Sequence, residues 1–136
     1  MKRAQQREQA FVLIFEKLFS NLDDQELIET YDENFEEPVC AYAKRLLQGV
    51  SEHTQEIDSV IAAFSSGWKV SRISKVDLAV LRLAVYEIAH VDEVPGEVCV
   101  NEAVELTKKY AAPSDASFVN GVLGAYLRSE TNVSGN

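Results

Sequence analysis

The side chains most often used for metal binding and catalysis are few in this chain and widely spaced. Neither His53 nor His90 has a histidine or cysteine three or four residues away, and Cys40 and Cys99 do not form a Cys-x-x-Cys pair. Zinc sites are commonly built from such short spacings, so we expect no metal site and two reduced, buried thiols. The GxSxG, HExxH and phosphate-loop motifs are also missing from the sequence. The sequence therefore predicts neither a cofactor nor an enzyme.

Contact with nucleic acid is a second kind of chemistry, and it depends on where the charges lie. The chain has 13 basic and 22 acidic residues, for a formal net charge of −9. A negative total is unusual for a nucleic-acid-binding protein. However, residues 23–37 alone carry eight acids and no base, whereas residues 1–22 carry four bases and two acids. Because screening acts over about 8 Å at physiological salt, a basic N-terminal end can coexist with the acidic segment.

The chain that positions these residues is predicted to be a single domain. It has 136 residues, with only 6 glycines and 3 prolines, which disfavours strand-and-turn architectures. We expect the domain to span residues 1–130, with a polar, flexible tail at 131–136. The apolar run at 11–15 is too short for a membrane span of about 20 residues, and no signal peptide is evident. We therefore expect a cytoplasmic protein that does not enter membranes.

Apolar spacing predicts six or seven helices and no sheet. The segment 74–90 is apolar on most faces, which indicates a central helix. A long third helix is expected over 39–64, with Gly49 marking a bend or a close helix contact. The Asn120-Gly121 pair favours a hairpin turn, but the helical spacing continues through it and we reject the hairpin. The remaining predicted helices cover 3–20, part of 23–37, a segment capped by Asn101, and a segment following Pro113.

Three sequence blocks resemble the NusB family of bacterial transcription antitermination factors. They are VDLAVLRLAVYE at 76–87, PGEVCVNEAVELTKKY at 95–110 and FVNGVL at 118–123. The resemblance implies an all-α fold of two helical bundles that share the long third helix. It also implies binding of single-stranded boxA RNA in ribosomal RNA transcripts, together with the ribosomal protein NusE, within the RNA polymerase antitermination complex. No catalysed reaction and no cofactor are implied.

The basic N-terminal end is similar to the segment with which this family contacts RNA. Lys2, Arg3 and Arg7 are therefore RNA-binding candidates, because guanidinium groups can form paired hydrogen bonds with phosphate oxygens. We expect the first two helical turns to project from the body, since buried arginines there would lack partners. The alternative is an ordinary solvated helix start. Glutamines at positions 5 and 6 depart from the arginine-rich family pattern, which implies weak RNA binding without a partner.

Three further RNA-binding candidates each have a structural alternative. Phe118 can stack on a base or belong to the core, and Asn120 can bind RNA or cap a neighbouring element. Arg82 interrupts an apolar helix, and pairing with a buried carboxylate such as Glu87 or Glu102 is favoured over RNA contact.

Two residues match positions that face the family's protein partner, namely Phe15 and Asp77. For Asp77, a capping box with Ser74 explains the residue without a partner. Family members occur as monomers and homodimers, so the resemblance permits a homodimer. The alternative function is a helical protein–protein interaction module whose RNA binding is weak or lost.

Overall fold

A computed structural model describes the backbone of residues 1–134 and the side chains of residues 1–131. Within this range the protein contains seven α-helices, one short 3₁₀ turn at Val70–Arg72, and no strand. The prediction of an all-α fold is thus confirmed. The helices are α1 (Arg3–Lys17), α2 (Asp24–Asn34), α3 (Ala41–Glu52), α4 (Thr54–Phe64), α5 (Lys75–His90), α6 (Gly96–Tyr110) and α7 (Pro113–Ser134).

The helices pack as two groups joined by α5. Helices α1, α2 and α3 contact one another, and α4, α6 and α7 each contact α5 in the second group. Helix α5 also contacts α1 and α3, so it is central to both groups, while the segment predicted as the shared third helix contributes α3 to the first group and α4 to the second. The reason for the central position of α5 is that it is apolar on most faces and can bury all of them only between the two groups. Its buried apolar residues are Leu78, Ala79, Val80, Leu81, Leu83, Ala84 and Val85.

The predicted long third helix is two helices, α3 and α4, which are separated at His53. His53 has φ −116° and ψ 19°, outside the helical region. The hydroxyl of Thr54 donates to the carbonyl oxygen of Val50 at 2.7 Å. A local side-chain bond of this kind competes with the helical ladder and favours a break. The chain therefore ends one helix at Glu52 and begins another at Thr54.

The close helix contact expected at Gly49 is present. A Cβ atom added at Gly49 would overlap the side chain of Tyr86 on α5. The absence of a side chain at this position therefore allows the Tyr86 ring to lie directly against α3.

Two of the predicted helix starts have different outcomes. The hydroxyl of Ser74 accepts a hydrogen bond from the backbone N–H of Asp77 at 3.2 Å, which confirms Ser74 as the N-cap of α5. Asn101 is not a cap, because α6 begins at Gly96 and Asn101 lies exposed within it. The buried residues Cys99 and Val100 extend the apolar face of α6 towards its start, and this outweighs the local capping signal at Asn101.

The cysteines are both free thiols, but only Cys99 is fully buried. Cys40 is half-buried, so the prediction of burial was wrong for this residue. Its sulfur accepts a hydrogen bond from the backbone N–H of Ala43 at 3.4 Å and thereby caps α3. A cap must lie at the helix end, which explains why Cys40 is not in the core.

Helix α7 runs continuously through Asn120 and Gly121, which confirms that no hairpin forms there. It continues over the first four residues of the segment 131–136, and residues 135 and 136 lie outside the described residues. The domain boundary at residue 130 and the flexibility of the tail stay predictions. Among residues 1–134, no helix is long and apolar enough to cross a membrane.

Candidate RNA and partner surfaces

Arg7 is buried and does not project into solvent, contrary to the sequence-based expectation. Its Nε donates to both carboxylate oxygens of Glu87 at 2.9 Å, and its Nη2 lies 2.9 Å from Glu87 Oε2. Tyr42 also donates its hydroxyl hydrogen to Glu87, and Glu102 lies 3.8 Å from Arg7 Nη1. Buried arginines were expected to lack partners, whereas the partner here lies 80 residues further along the chain. Arg7 therefore joins α1 to α5, and its guanidinium is engaged inside the protein.

The electrostatics of this buried cluster follow from the pairing of opposite charges. Burial alone would lower the pKa of Arg7, but the hydrogen bonds and charge of Glu87 raise it above its usual value. Burial and the hydrogen bond to Glu87 raise the pKa of Tyr42. Burial, reinforced by Glu87, raises the pKa of the nearby Cys99 thiol to about 12. Arg7 therefore stays charged, and Tyr42 and Cys99 stay neutral, around neutral pH.

Lys2 and Arg3 are the N-terminal bases that remain exposed. The Arg3 guanidinium lies 3.8 Å from the centre of the Tyr42 ring, and its Nη1 donates to Gln6 Oε1 at 3.0 Å. The aromatic face holds the arginine near the surface while leaving hydrogen-bond donors free for an incoming anion. Two accessible cations thus remain at this end of the protein, where three were expected.

Arg82 forms a structural ion pair. Its Nε and Nη2 donate to the two carboxylate oxygens of Asp58 at 2.9 and 2.8 Å, which joins α5 to α4. Pairing with a carboxylate was the favoured expectation, but the expected partners, Glu87 and Glu102, belong to the Arg7 cluster. With its side chain 17% exposed and its Nε and Nη2 bonded to Asp58, Arg82 has the structural role that the sequence favoured over RNA contact.

Phe118 lies half-buried at the edge of a groove and packs edge-to-face against Trp68, with 6.3 Å between ring centres. The groove is also lined by Arg72, while Asp77 and Asp115 lie at its buried side. The two aromatic rings provide the kind of surface on which unpaired bases stack. Phe118 therefore packs on the core with one part of its ring and lines the groove with another.

Trp68 is 56% exposed and was not identified as a candidate from the sequence. It follows a tight turn in which Ser66 and Gly67 have φ values of 53° and 86°. The hydroxyl of Ser65 donates to the Trp68 carbonyl oxygen at 2.8 Å and fixes the turn. A lone tryptophan in a Ser-Ser-Gly connector, followed by Lys69, was a sequence signal for an exposed aromatic beside positive charge.

Asn120 lies on a different face of α7 from Phe118, since two residues correspond to about 200° of helical rotation. It is exposed and lines a shallow groove between α6 and α7, together with Lys108 and Ser117. The structure therefore does not bring Phe118 and Asn120 onto one surface.

The two partner-binding candidates differ in accessibility. Phe15 is half-buried in an aromatic row along α1, with ring centres 5.9 Å from Phe11 and 5.0 Å from Phe19. Phe19 is 64% exposed, so this row ends in an accessible apolar surface. Asp77 is 4% exposed, and its Oδ1 has no hydrogen-bond partner in the described structure. Burial and the neighbouring Asp115 raise the pKa of Asp77 to about 7, although the Ser74 hydroxyl opposes the shift.

Comparison with known proteins shows which family this chain resembles. The model of the NusB family matches residues 4–128. The transcription antitermination protein NusB of Acetivibrio thermocellus is 45% identical over 132 residues, which cover 94% of this chain and 90% of that protein. The corresponding protein of Clostridium acetobutylicum is 43% identical over 131 residues, which cover 95% and 97% of the two chains.

Solved structures agree in fold along nearly the whole chain. NusB of T. maritima superposes with a TM-score of 0.83 at 32% identity, covering 94% of this chain and 92% of that one. A crystal structure of the antitermination factors NusB and NusE in complex with dsRNA superposes with a TM-score of 0.82 at 28% identity, covering 95% and 99%. Because the family model and these relatives extend over almost the entire length, this chain belongs to the NusB family.

Proposed function

We propose that this protein is a transcription antitermination factor that binds RNA together with NusE and catalyses no reaction. The main support is the match of the family over residues 4–128, with relatives that are antitermination proteins along their whole length. A solved relative of the same fold is in a complex with NusE and RNA. The proposed target is the boxA element of nascent ribosomal RNA, bound in the cytoplasm as part of the RNA polymerase antitermination complex.

The proposed RNA surface has two parts that lie along α5. Arg3 packs on Tyr42, which is hydrogen-bonded to Glu87, whereas Phe118 and Trp68 border the groove that contains Asp77. Ten residues of α-helix separate Asp77 from Glu87, which corresponds to about 15 Å. A single strand of a few nucleotides bridges such a distance, with phosphates at the basic end and bases on the aromatic rings.

The partner surface is proposed to be the accessible part of the aromatic row, Phe15 and Phe19, which lies over the buried Phe11. Its exposed end at Phe19 offers apolar area, which is the component that anchors most protein interfaces. Asp77 is too buried to contribute a direct ion pair to NusE, so its proposed role is to shape the groove, while the Ser74 hydroxyl caps α5 by accepting from the Asp77 backbone N–H.

The test is a titration of boxA-containing RNA and a scrambled strand, with and without NusE. We expect preference for boxA and tighter binding with NusE present. Replacing Phe118 by alanine should weaken RNA binding by about 1–3 kcal/mol, because that is the cost of losing one stacked base. The matched control is Phe35→Ala, since Phe35 is an exposed aromatic that stacks on Tyr31 in the acidic N-terminal region. Equal effects of the two variants would contradict the proposed stacking.

A second candidate function is a protein–protein interaction module with weak or lost RNA binding. The observation that favours it is that Arg7 and Arg82 form ion pairs with carboxylates of the protein itself. Lys2 and Arg3 then remain as the N-terminal cations accessible to phosphate. With two phosphate contacts, the slope of log affinity against log salt for a single strand would be about −1.4. If boxA RNA binds no better than the scrambled strand even with NusE present, this second function replaces the first.

A further inference from the structure

Both histidines of the chain meet at one place, although they are 37 residues apart in sequence. His53 lies at the break between α3 and α4, and His90 is the last residue of α5. Their rings stack with centres 4.4 Å apart, and Glu56 in the first turn of α4 lies beside both. We propose that His53, Glu56 and His90 bind a divalent transition-metal ion, for which Zn²⁺ is the best match.

The distances between the ligand atoms support this assignment. His53 Nδ1 lies 3.3 Å from Glu56 Oε2, and His90 Nε2 lies 3.5 Å from Glu56 Oε1. In a tetrahedral zinc site with bonds of about 2.0–2.2 Å, neighbouring ligand atoms are about 3.3–3.6 Å apart. One ligand atom from each of the three residues lies within 4.8 Å of the other two. Because the two imidazole rings are stacked, binding of both nitrogens to one ion requires the half-exposed His53 ring to rotate.

The hydrogen bonding of the cluster leaves one ring nitrogen without a hydrogen-bond partner in the part of the chain that the structure describes. His90 Nε2 is shielded from solvent and has no hydrogen-bond partner in the described structure. A buried polar atom without a partner costs free energy unless something satisfies it. Among the described residues, the ion-pair partners of Glu56 are the two histidines alone. A bound cation would satisfy both groups, because it would bring a positive charge to Glu56 and a partner to His90 Nε2.

The surroundings of the site hold the His90 ring in place. Tyr86 stacks on His90 with ring centres 4.9 Å apart, and it can do so because Gly49 leaves room for it against α3. The break at His53 turns that side chain away from the regular path of a helix. The neighbouring cations Arg82 and Arg45 are held by other carboxylates and do not compete for Glu56.

The chemistry of the donor set also selects the metal and leaves one coordination position open. Two imidazole nitrogens and a carboxylate suit Zn²⁺ and its neighbours in the first transition series, whereas Mg²⁺ prefers oxygen ligands and retained waters. The Glu56 side chain is 58% exposed, so water can reach a bound ion from that side and complete the shell. The bound ion would tie the junction of α3 and α4 to the end of α5.

The experiment is a calorimetric titration of the full chain with ZnCl₂ in chelator-free buffer near neutral pH, because protons compete with metal for the ligands at low pH. We expect one Zn²⁺ per chain and no competition from excess Mg²⁺. The variants His53→Gln, Glu56→Gln and His90→Gln should each weaken binding at least about tenfold, because loss of even an outer-shell partner costs about 10–100-fold. The matched controls are Glu52→Gln, an exposed carboxylate beside His53, and Cys40→Ser, and both should bind as the wild type does.

A second measurement keeps the test valid if a variant folds poorly. Because the chain has two histidines, their ring signals in an NMR spectrum of the wild type report directly on this site. Both sets of signals should shift together and stop shifting at one equivalent of Zn²⁺. Absence of saturable binding, unchanged histidine signals, or equal affinity in the three ligand variants and the controls would overturn the proposal. None of these outcomes depends on RNA or NusE binding.

Discussion

Replacing Arg7 by methionine is expected to destabilise the fold severely, because it removes the cation from the buried Glu87. The Arg7 side chain is 4% exposed and that of Glu87 is 1% exposed, so water cannot replace the lost partner. Three guanidinium contacts to Glu87 at 2.9 Å disappear at once. The remaining donor to Glu87 is the hydroxyl of Tyr42.

The magnitude follows from the burial of both partners. Removing one member of a buried ion pair costs about 3–5 kcal/mol, since the other charge is left uncompensated. This is a large part of the roughly 5–15 kcal/mol that stabilises a typical domain. Arg7→Lys keeps the charge but cannot form the paired hydrogen bonds, so we expect an intermediate loss.

The assay is equilibrium unfolding in urea, with the free energy of unfolding obtained by linear extrapolation. The matched control is Arg3→Met, which removes an exposed arginine one turn earlier on the same helix. Stacking of Arg3 on the Tyr42 ring is worth about 0.5–1 kcal/mol at an exposed site, so Arg3→Met should lower the free energy of unfolding by no more than that. The opposite order is expected in RNA binding, where Arg3→Met should weaken binding and Arg7→Lys, which stays folded, should not.

Two results would refute this reasoning. If Arg7→Met unfolds at the same urea concentration as Arg3→Met, the pair with Glu87 does not anchor α1 to α5. If Arg7→Lys keeps wild-type stability but loses RNA affinity as strongly as Arg3→Met, Arg7 contacts RNA directly and the original sequence-based assignment is restored.

The remaining predictions concern a close contact and a raised pKa. Gly49→Ala should lower the free energy of unfolding by about 1–3 kcal/mol, because the added methyl group overlaps Tyr86. Gly121→Ala should raise it by up to about 1 kcal/mol, because a Cβ there meets nothing within 4 Å and alanine favours the helix. Similar urea midpoints for the two variants would contradict the contact between Gly49 and Tyr86. Burial and Asp115 raise the pKa of Asp77 to about 7, so the folded state keeps a proton that the unfolded state has lost, and wild-type stability should fall as pH rises from about 4 to about 7. Asp77→Asn should remove that part of the fall, and parallel stability–pH curves for the two proteins would disprove it.

Local pattern was sufficient for most of the fold. The periodic apolar positions predicted the helices, and the continuous apolar character of 74–90 correctly indicated its central position. The break at His53 escaped prediction for a geometric reason. The apolar positions at Val50 and Ile57 are seven residues apart, close to two helical turns, so the spacing remains helical across a break between them.

The candidate sites were harder to predict because they depend on contacts distant in sequence. Arg7 is a basic residue near the start of the chain, where a surface contact with RNA is expected. Only the tertiary fold shows that it is buried in an ion pair with Glu87. Trp68 gained importance from its proximity to Phe118, which lies 50 residues further along the chain. The proposed metal site was not predicted for the same reason, since His53 and His90 are too far apart in sequence to form a short-spaced motif.

The central position of α5 also affects how the protein is made. The ribosome synthesises α5 before α6 and α7, so the apolar faces that these two helices cover emerge without their partners. A helix that is apolar on most faces has no stable solvated state of its own, and such exposed surface promotes aggregation until the rest of the chain arrives. A nascent chain that has reached only His90 therefore exposes apolar surface that the folded protein buries, until α6 and α7 have been synthesised and cover it.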